Sequence, residues 1–233
     1  MTDLELGQLE ERYHSIAGKI SQASQTRAIS QQITLIAVSK KQSIDSIEAL
    51  YRLGHRDFGE NYAQEMVVKA QELEKRGCAG IRWHFIGHLQ TNKIKMILPH
   101  VFSIHTVASE KRAIQLSLAK VRLGGEEAPG LPVFLEVNVD QEETKAGVSP
   151  SDVQDLAQSI AALPGLQLQG LMCIPDPEQD PRPRFKMLAD LGRQLGSLSR
   201  GQLSMGMSSD FEIAIQEGAT HVRVGTAIFG VRN

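Results

Sequence analysis

Eight short strand-like runs, most of them apolar and β-branched, alternate with helical stretches along this chain, and that rhythm leaves few architectures open. The strand candidates are 33–39 (ITLIAVS), 55–60 (HRDFGE), 81–87 (IRWHFIG), 101–106 (VFSIHT), 132–139 (PVFLEVNV), 166–174 (LQLQGLMCI), 202–207 (QLSMGM) and 221–225 (HVRVG). Helical patterns fill 43–53, 61–76, 90–97, 109–123, 150–162, 182–197 and 209–217. Strands separated by helices pair in parallel through right-handed crossovers. The first, fifth and sixth runs are nearly continuously hydrophobic, as expected when both faces of a parallel sheet are covered.

An open doubly wound sheet would show the same alternation. The count of eight, with phosphate-binding signals on the last two units, favours closure into a (β/α)8 TIM-type barrel. The chain of 233 residues reads as a single domain, with an N-terminal helix over 1–30 and the barrel over 31–233. In the first segment Leu4, Leu6, Leu9, Tyr13, Ile16 and Ile20 recur at near-helical spacing. The tail 226–233 (TAIFGVRN) is placed to close the ring, and 124–130 and 175–183 read as loops rather than linkers.

Composition narrows the function classes. With 25 Lys and Arg against 27 Asp and Glu, the formal charge of −2 gives no pull toward nucleic acid or an acidic membrane. The N-terminus lacks the basic and apolar regions of a signal peptide, and no apolar run is long enough to span a bilayer, so a cytoplasmic protein is expected. Cys78 and Cys173 match no metal or redox spacing and read as reduced thiols. No long apolar stripe is left unaccounted for, which favours a monomer.

Function in such barrels sits at the C-terminal ends of the strands. The first strand ends in Ser39-Lys40-Lys41, where alternation lets only one lysine face the barrel mouth. A lysine desolvated there becomes nucleophilic toward carbonyls; the plainer reading is two solvated loop lysines, and spacing alone leaves both open. The seventh strand runs into Ser204-Met205-Gly206-Met207-Ser208-Ser209-Asp210 and the eighth into Arg223-Val224-Gly225-Thr226, each just before a helical segment. Serine oxygens, free N–H groups and helix dipoles on these two neighbouring units make a phosphate cradle, against the alternative of two ordinary helix caps.

A carbonyl-seeking lysine opposite a phosphate site suits pyridoxal phosphate or a phosphosugar. Arg223 could pair with a pyridine nitrogen, a phosphate or a carboxylate, and spacing leaves that open. Asn61, His84, Gly87, His88 and Asn138 add polar groups at other strand ends. His84 and His88 stand four apart, but across a strand and a turn rather than on a helix, so no metal pair is expected. Lys93 reads as solvated or partner-facing, and Met172 and Cys173 as core.

The stretches AVSK (37–40), FGENYAQE (58–65), WHFIGHLQTNK (83–93), VNV (137–139) with KAG (145–147), MGMSSDFEIAIQEG (205–218) and VRVGTAIFG (222–230) together resemble the pyridoxal-phosphate homeostasis protein family. That family is related to the barrel domain of alanine racemase. The resemblance implies a fold type III barrel without the second domain, and pyridoxal 5′-phosphate held as a Schiff base on Lys40. It implies that Ser208, Ser209, Gly225 and Thr226 hold the phosphate, that Arg223 faces the pyridine nitrogen, and that Asn61, His84, Asn138 and Met205 line the cofactor. It also implies a part in vitamin B6 and amino-acid homeostasis without robust catalysis, with PLP-dependent apoenzymes or a regulatory protein as partners. An arginine at the ring nitrogen disfavours protonation there and weakens the ring as an electron sink. Alanine racemases use a second domain and a tyrosine from a partner subunit. This chain reads without that domain, and of Tyr13, Tyr51 and Tyr62 only Tyr62 follows a strand end. A racemase-like enzyme and a Schiff-base phosphosugar aldolase are the alternatives.

Overall fold

In the computed structural model, which describes residues 2–25, 32–125, 128–142 and 145–230, every expected strand forms. They are β1 (Thr34–Val38), β2 (Asp57–Glu60), β3 (Arg82–Phe85), β4 (Val101–Val107), β5 (Leu131–Glu136), β6 (Leu166–Met172), β7 (Gln202–Ser204) and β8 (His221–Val224). Each pairs in parallel with the next, and β8 pairs back onto β1 with Leu35 opposite Val222. The barrel is closed by that pairing. The tail expected to close the ring instead forms a short helix, α9 (Thr226–Phe229).

The helices are α1 (Asp3–Gln25), α2 (Ile44–Arg52), α3 (Ala63–Lys75), α4 (Ile94–Ile97), α5 (Glu110–Gly124), α6 (Val153–Ala161), α7 (Arg182–Gln194) and α8 (Phe211–Gln216). Local chemistry sets several starts: the Ser43 hydroxyl accepts the Ser46 N–H ahead of α2, and Ser109 does the same for Arg112 ahead of α5. The eighth unit ends in a helix of only 4 residues, too short to cover its strand. Helix α1 supplies the cover, packing on α2, α8 and α9, with Arg12 Nε donating to the Ile228 carbonyl at 2.7 Å. Residues 26–30, the end of the expected N-terminal helix, lie outside the described residues. Among those described, no helix is long and apolar enough to cross a membrane.

The main apolar core lies between the sheet and the helices, where Phe58, Phe85, Phe185 and Leu116 are fully buried. Burying each such side chain contributes about 1.5–3 kcal/mol. The barrel interior is packed separately. A Cβ on Gly59 would come within 2.8 Å of Ile36 and 3.1 Å of Ile86, so these side chains fill the space that glycine leaves inside.

Candidate cofactor site at the barrel mouth

The turn after β1 is clamped from outside the barrel. Ser39, fully buried, donates its N–H to the Gly59 carbonyl at 2.9 Å and its hydroxyl to Glu60 Oε1 at 2.7 Å. Lys69 of α3 is buried too, and its ammonium reaches Glu60 at 2.8 Å, the Ser39 carbonyl at 2.7 Å and Glu65 at 2.6 Å. Glu65 also accepts the Lys41 N–H at 2.5 Å, while Lys41 itself takes φ of 59° and stands exposed. Burial pushes the Glu60 carboxyl up, against the pull of Lys69 and Ser39. Because Ile36 and Val38 pack around Gly59 and Ser39 turns outward to α3, alternation gives half-buried Lys40 the inward parity.

Lys69 escaped the sequence reading because a lysine inside a helical pattern reads as solvated. Its spacing carried the signal: it lies three residues after Met66 and four before Leu73, on the buried face of α3.

The β7 and β8 ends meet on Ser208. Its hydroxyl oxygen lies 3.3 Å from Gly225 N, 3.5 Å from Ala227 N and 3.2 Å from Thr226 Oγ1. Neither Ser208 nor Ser209 caps α8, as the alternative of an ordinary helix cap would have it. Asp210 occupies the N-cap position and accepts the Met207 N–H at 2.6 Å, which frees Ser208 to reach the β8 turn. Gly206 makes the bend possible: at φ of 91° its Cβ would sit 2.6 Å from that of Ala214. Ser209 and Thr226 are exposed.

Arg223 on β8 is 4% exposed and donates to Ser204 Oγ at 2.8 Å and to the Cys173 carbonyl at 2.9 Å. Burial lowers its pKa from the ordinary value, while Cys173, Asp210 and Glu136 oppose the shift. Glu136, buried at the end of β5, has its carboxyl raised by burial against the pull of Arg223. Asn61 and Asn138 follow β2 and β5, and the Oδ1 of each is buried without a hydrogen-bond partner. The β5 loop is tied down by Asp140, which accepts Lys145 at 2.8 Å, Arg184 at 3.0 Å and the Asp176 N–H at 2.8 Å.

Two expected lining residues belong elsewhere. Met205 is fully buried in the core under the helices, because Ser204 faces inward and its neighbour must face out. His84 lies inside the barrel but is anchored away from the mouth, on Asp57, the first residue of β2, at 2.9 Å. It lines a cavity of about 520 Å³ at the opposite pole with Thr34, Arg82, Gln202 and His221. His88 is exposed and lines a cavity of about 320 Å³ with Asn61, Tyr62, Gly87 and Lys93. Tyr13 bonds His55, and Tyr51 stacks under Arg56, so of the three tyrosines Tyr62 alone lies at this end.

Gly87 brings the β2 and β3 loops together: a Cβ there would lie 2.2 Å from the Asn61 carbonyl oxygen. Gly87→Ala must displace that backbone. It is expected to cost about 1–3 kcal/mol, read as a fall in Tm, with a matching loss in any ligand affinity that depends on Asn61. An unchanged melt would show that the two loops do not need this contact.

The family described as alanine racemase, N-terminal domain, matches residues 19–233. The pyridoxal phosphate homeostasis protein of Pseudomonas aeruginosa is 40% identical over 228 residues, covering 97% of this chain and 96% of its own. The human protein of that name is 39% identical over 215 residues, 87% of this chain and 78% of its own. This chain belongs to the pyridoxal phosphate homeostasis protein family. A structure of the Synechococcus elongatus protein PipY with PLP bound superposes at a TM-score of 0.81 and 31% identity, covering 96% of this chain and 100% of that one. Alanine racemase from Corynebacterium glutamicum shares the fold at 14% identity and a TM-score of 0.58, and this chain spans 61% of it. The segments that carry the family resemblance lie at strand ends: 37–40 closes β1, 58–65 spans the end of β2, and 205–218 and 222–230 hold the Ser208 junction.

Proposed function

We propose that this member of the pyridoxal phosphate homeostasis protein family binds PLP at the barrel mouth, covalently through Lys40. It acts in vitamin B6 and amino-acid homeostasis as a carrier or regulator rather than a catalyst. The observation that carries this reading is the Ser208 junction, where the hydroxyl of Ser208 beyond β7 meets the Thr226 hydroxyl and two backbone N–H groups of the turn after β8 within 3.5 Å. Hydroxyls and N–H groups suit a phosphate dianion. Ser208, Ser209, Gly225 and Thr226 would hold the phosphate, and Arg223 would meet the ring nitrogen. The unpartnered Oδ1 atoms of Asn61 and Asn138 are acceptors that the protein alone leaves unsatisfied, as a site for a polar ligand would.

PLP, when bound, supplies an aldehyde that an amine captures reversibly and a ring that withdraws electrons best when its nitrogen is protonated. Arg223 offers that nitrogen donors only, which opposes protonation and suits storage or delivery over carbanion chemistry. Exposure of Ser209 and Thr226 keeps the phosphate end open to exchange with water and with a recipient apoenzyme.

The test is titration of apoprotein with PLP, followed by borohydride reduction and peptide mapping. A saturable visible band near one equivalent, with the adduct on Lys40, is the expected result. A protein that stays colourless in excess PLP and yields no adduct defeats the reading and favours a phosphosugar ligand.

A further inference from the structure

Behind Arg223 the barrel interior holds a line of buried polar groups that the function above does not use. His84 and His105 are 1% and 0% exposed. From the mouth inward, Arg223 Nη1 meets Ser204 Oγ at 2.8 Å, and Ser204 Oγ meets His105 Nδ1 at 2.8 Å. His105 Nε2 meets Ser103 Oγ at 2.9 Å, and Ser103 Oγ meets His84 Nδ1 at 2.7 Å. His84 Nε2 meets Asp57 Oδ1 at 2.9 Å, where Asp57 also pairs with Arg82 and opens onto the cavity at the far pole. The line crosses the barrel through β8, β7, β4, β3 and β2.

Its carboxylate end fixes which way the protons point. A guanidinium has five donors and no acceptor, and an ionised carboxylate has only acceptors. Burial pushes the Asp57 carboxyl up, but the bonds from His84 and Arg82 outweigh it and hold Asp57 well below the usual carboxylate range. So Arg223 donates to Ser204, Ser204 to His105 Nδ1, His105 Nε2–H to Ser103, Ser103 to His84 Nδ1, and His84 Nε2–H to Asp57. His84 Nε2–H on the carboxylate leaves His84 Nδ1 an acceptor; the single Ser103 proton goes there, so His105 Nε2, 2.9 Å from Ser103 Oγ and 3.1 Å from His84 Nδ1, must itself carry a proton. Both imidazoles must be neutral and protonated on Nε2, and burial depresses the pKa of each. His105 is also pinned by stacking on Phe134, with centroids 4.3 Å apart.

We propose that this one-way chain makes Ser204 and His105 positioning residues for Arg223, presetting the guanidinium in the mouth before any cofactor arrives. The aligned dipoles present the Ser204 oxygen to a buried cation whose two hydrogen-bond partners are both neutral, and they end on the Asp57 carboxylate. This accounts for His84, His105, Ser103 and Ser204 being kept fully buried beside Phe134. The consequence for the cofactor rests on the reading that Arg223 meets its ring.

Two measurements decide it. Long-range ¹H–¹⁵N correlation spectra of labelled apoprotein at neutral pH should show His84 and His105 neutral, with the proton on Nε2. A proton on Nδ1 of either ring overturns the chain whatever the protein binds. Ser204→Ala, loaded with PLP, should shift the bound-cofactor absorption and weaken retention roughly tenfold, the effect of one lost charge-assisted bond. Ser204→Thr, which keeps the hydroxyl, should restore both. A Ser204→Ala protein that folds and matches wild type in spectrum and affinity overturns the positioning role. Wild-type apoprotein that takes up no PLP defeats the cofactor reading alone, and the tautomers still judge the chain.

Discussion

Lys40→Ala is expected to abolish both the visible band with PLP and the reducible adduct, while Lys41→Ala keeps both. The two lysines are neighbours, yet their settings differ. Lys41 is exposed, sits at φ of 59° and has its N–H drawn to Glu65. Lys40 shares the parity of Ile36 and Val38, which pack inside the barrel around Gly59. Loss of the covalent link should leave only phosphate and ring contacts, with PLP held about 100-fold more weakly, the equivalent of roughly 2.7 kcal/mol. Lys40 is half-buried at a strand end and outside the apolar core, so the variant's stability should fall by less than about 1 kcal/mol. Absorbance titration, peptide mapping and a thermal melt test all three points. A yellow Lys40→Ala beside a colourless Lys41→Ala would move the anchor one residue along.

The strands were legible because the runs are short and bounded by breakers, and β1 and most of β5 carry the continuous apolar character of a covered parallel sheet. Ends were less so. The PVFLEVNV run continues apolar past Glu136, but Val137 makes only an isolated bridge to Val148 and the strand stops. Helix α4 keeps only Ile94–Ile97 of its pattern, because Thr91–Lys93 ahead of it wind as a tighter 3₁₀ turn. At the barrel mouth, the placing of Lys40, the serine pair and Arg223 could be read because they stand at or just past strand ends. The orientation of Met205 and the anchoring of His84 could not, since neither strand end says which face is inside when both faces are buried. The clue was present in alternation. VFSIHT sets Ser103 and His105 on one face against Phe102, Ile104 and Thr106, HVRVG pairs His221 with Arg223, and QLS pairs Gln202 with Ser204. In an isolated sheet such a face would be the solvated one. In a closed barrel it becomes the polar interior.

The second large effect falls on Lys69. Lys69→Met should lower stability by about 3–5 kcal/mol, because it leaves Glu60, fully buried, without its cation. For a chain of this length that corresponds to a Tm about 6–20 °C lower. Glu60 Oε2 already lacks a partner, so no other group stands ready to take the charge. The sign of the pH dependence follows from the raised Glu60 carboxyl. A carboxyl raised by folding contributes stability at low pH and loses it as pH climbs through the folded value. Removing Lys69 raises that value further, so the deficit should be smallest in acid and grow toward neutral pH. Melts of both proteins across that range would show the widening gap, and a constant gap would mean that Glu60 is not the group left stranded. Lys69→Met with Glu60→Gln should recover most of the loss, since an apolar and a neutral side chain of similar volume replace the pair and the new amide oxygen can still accept from Ser39. The same variant tests the link to the cofactor. Lys69 bonds the Ser39 carbonyl, one residue before Lys40, and shares Glu65 with the Lys41 N–H. The double variant should therefore regain stability yet take up PLP more slowly or more weakly than wild type, because the turn that carries the lysine has lost its clamp. Full recovery of both would show that Lys69 serves the fold alone.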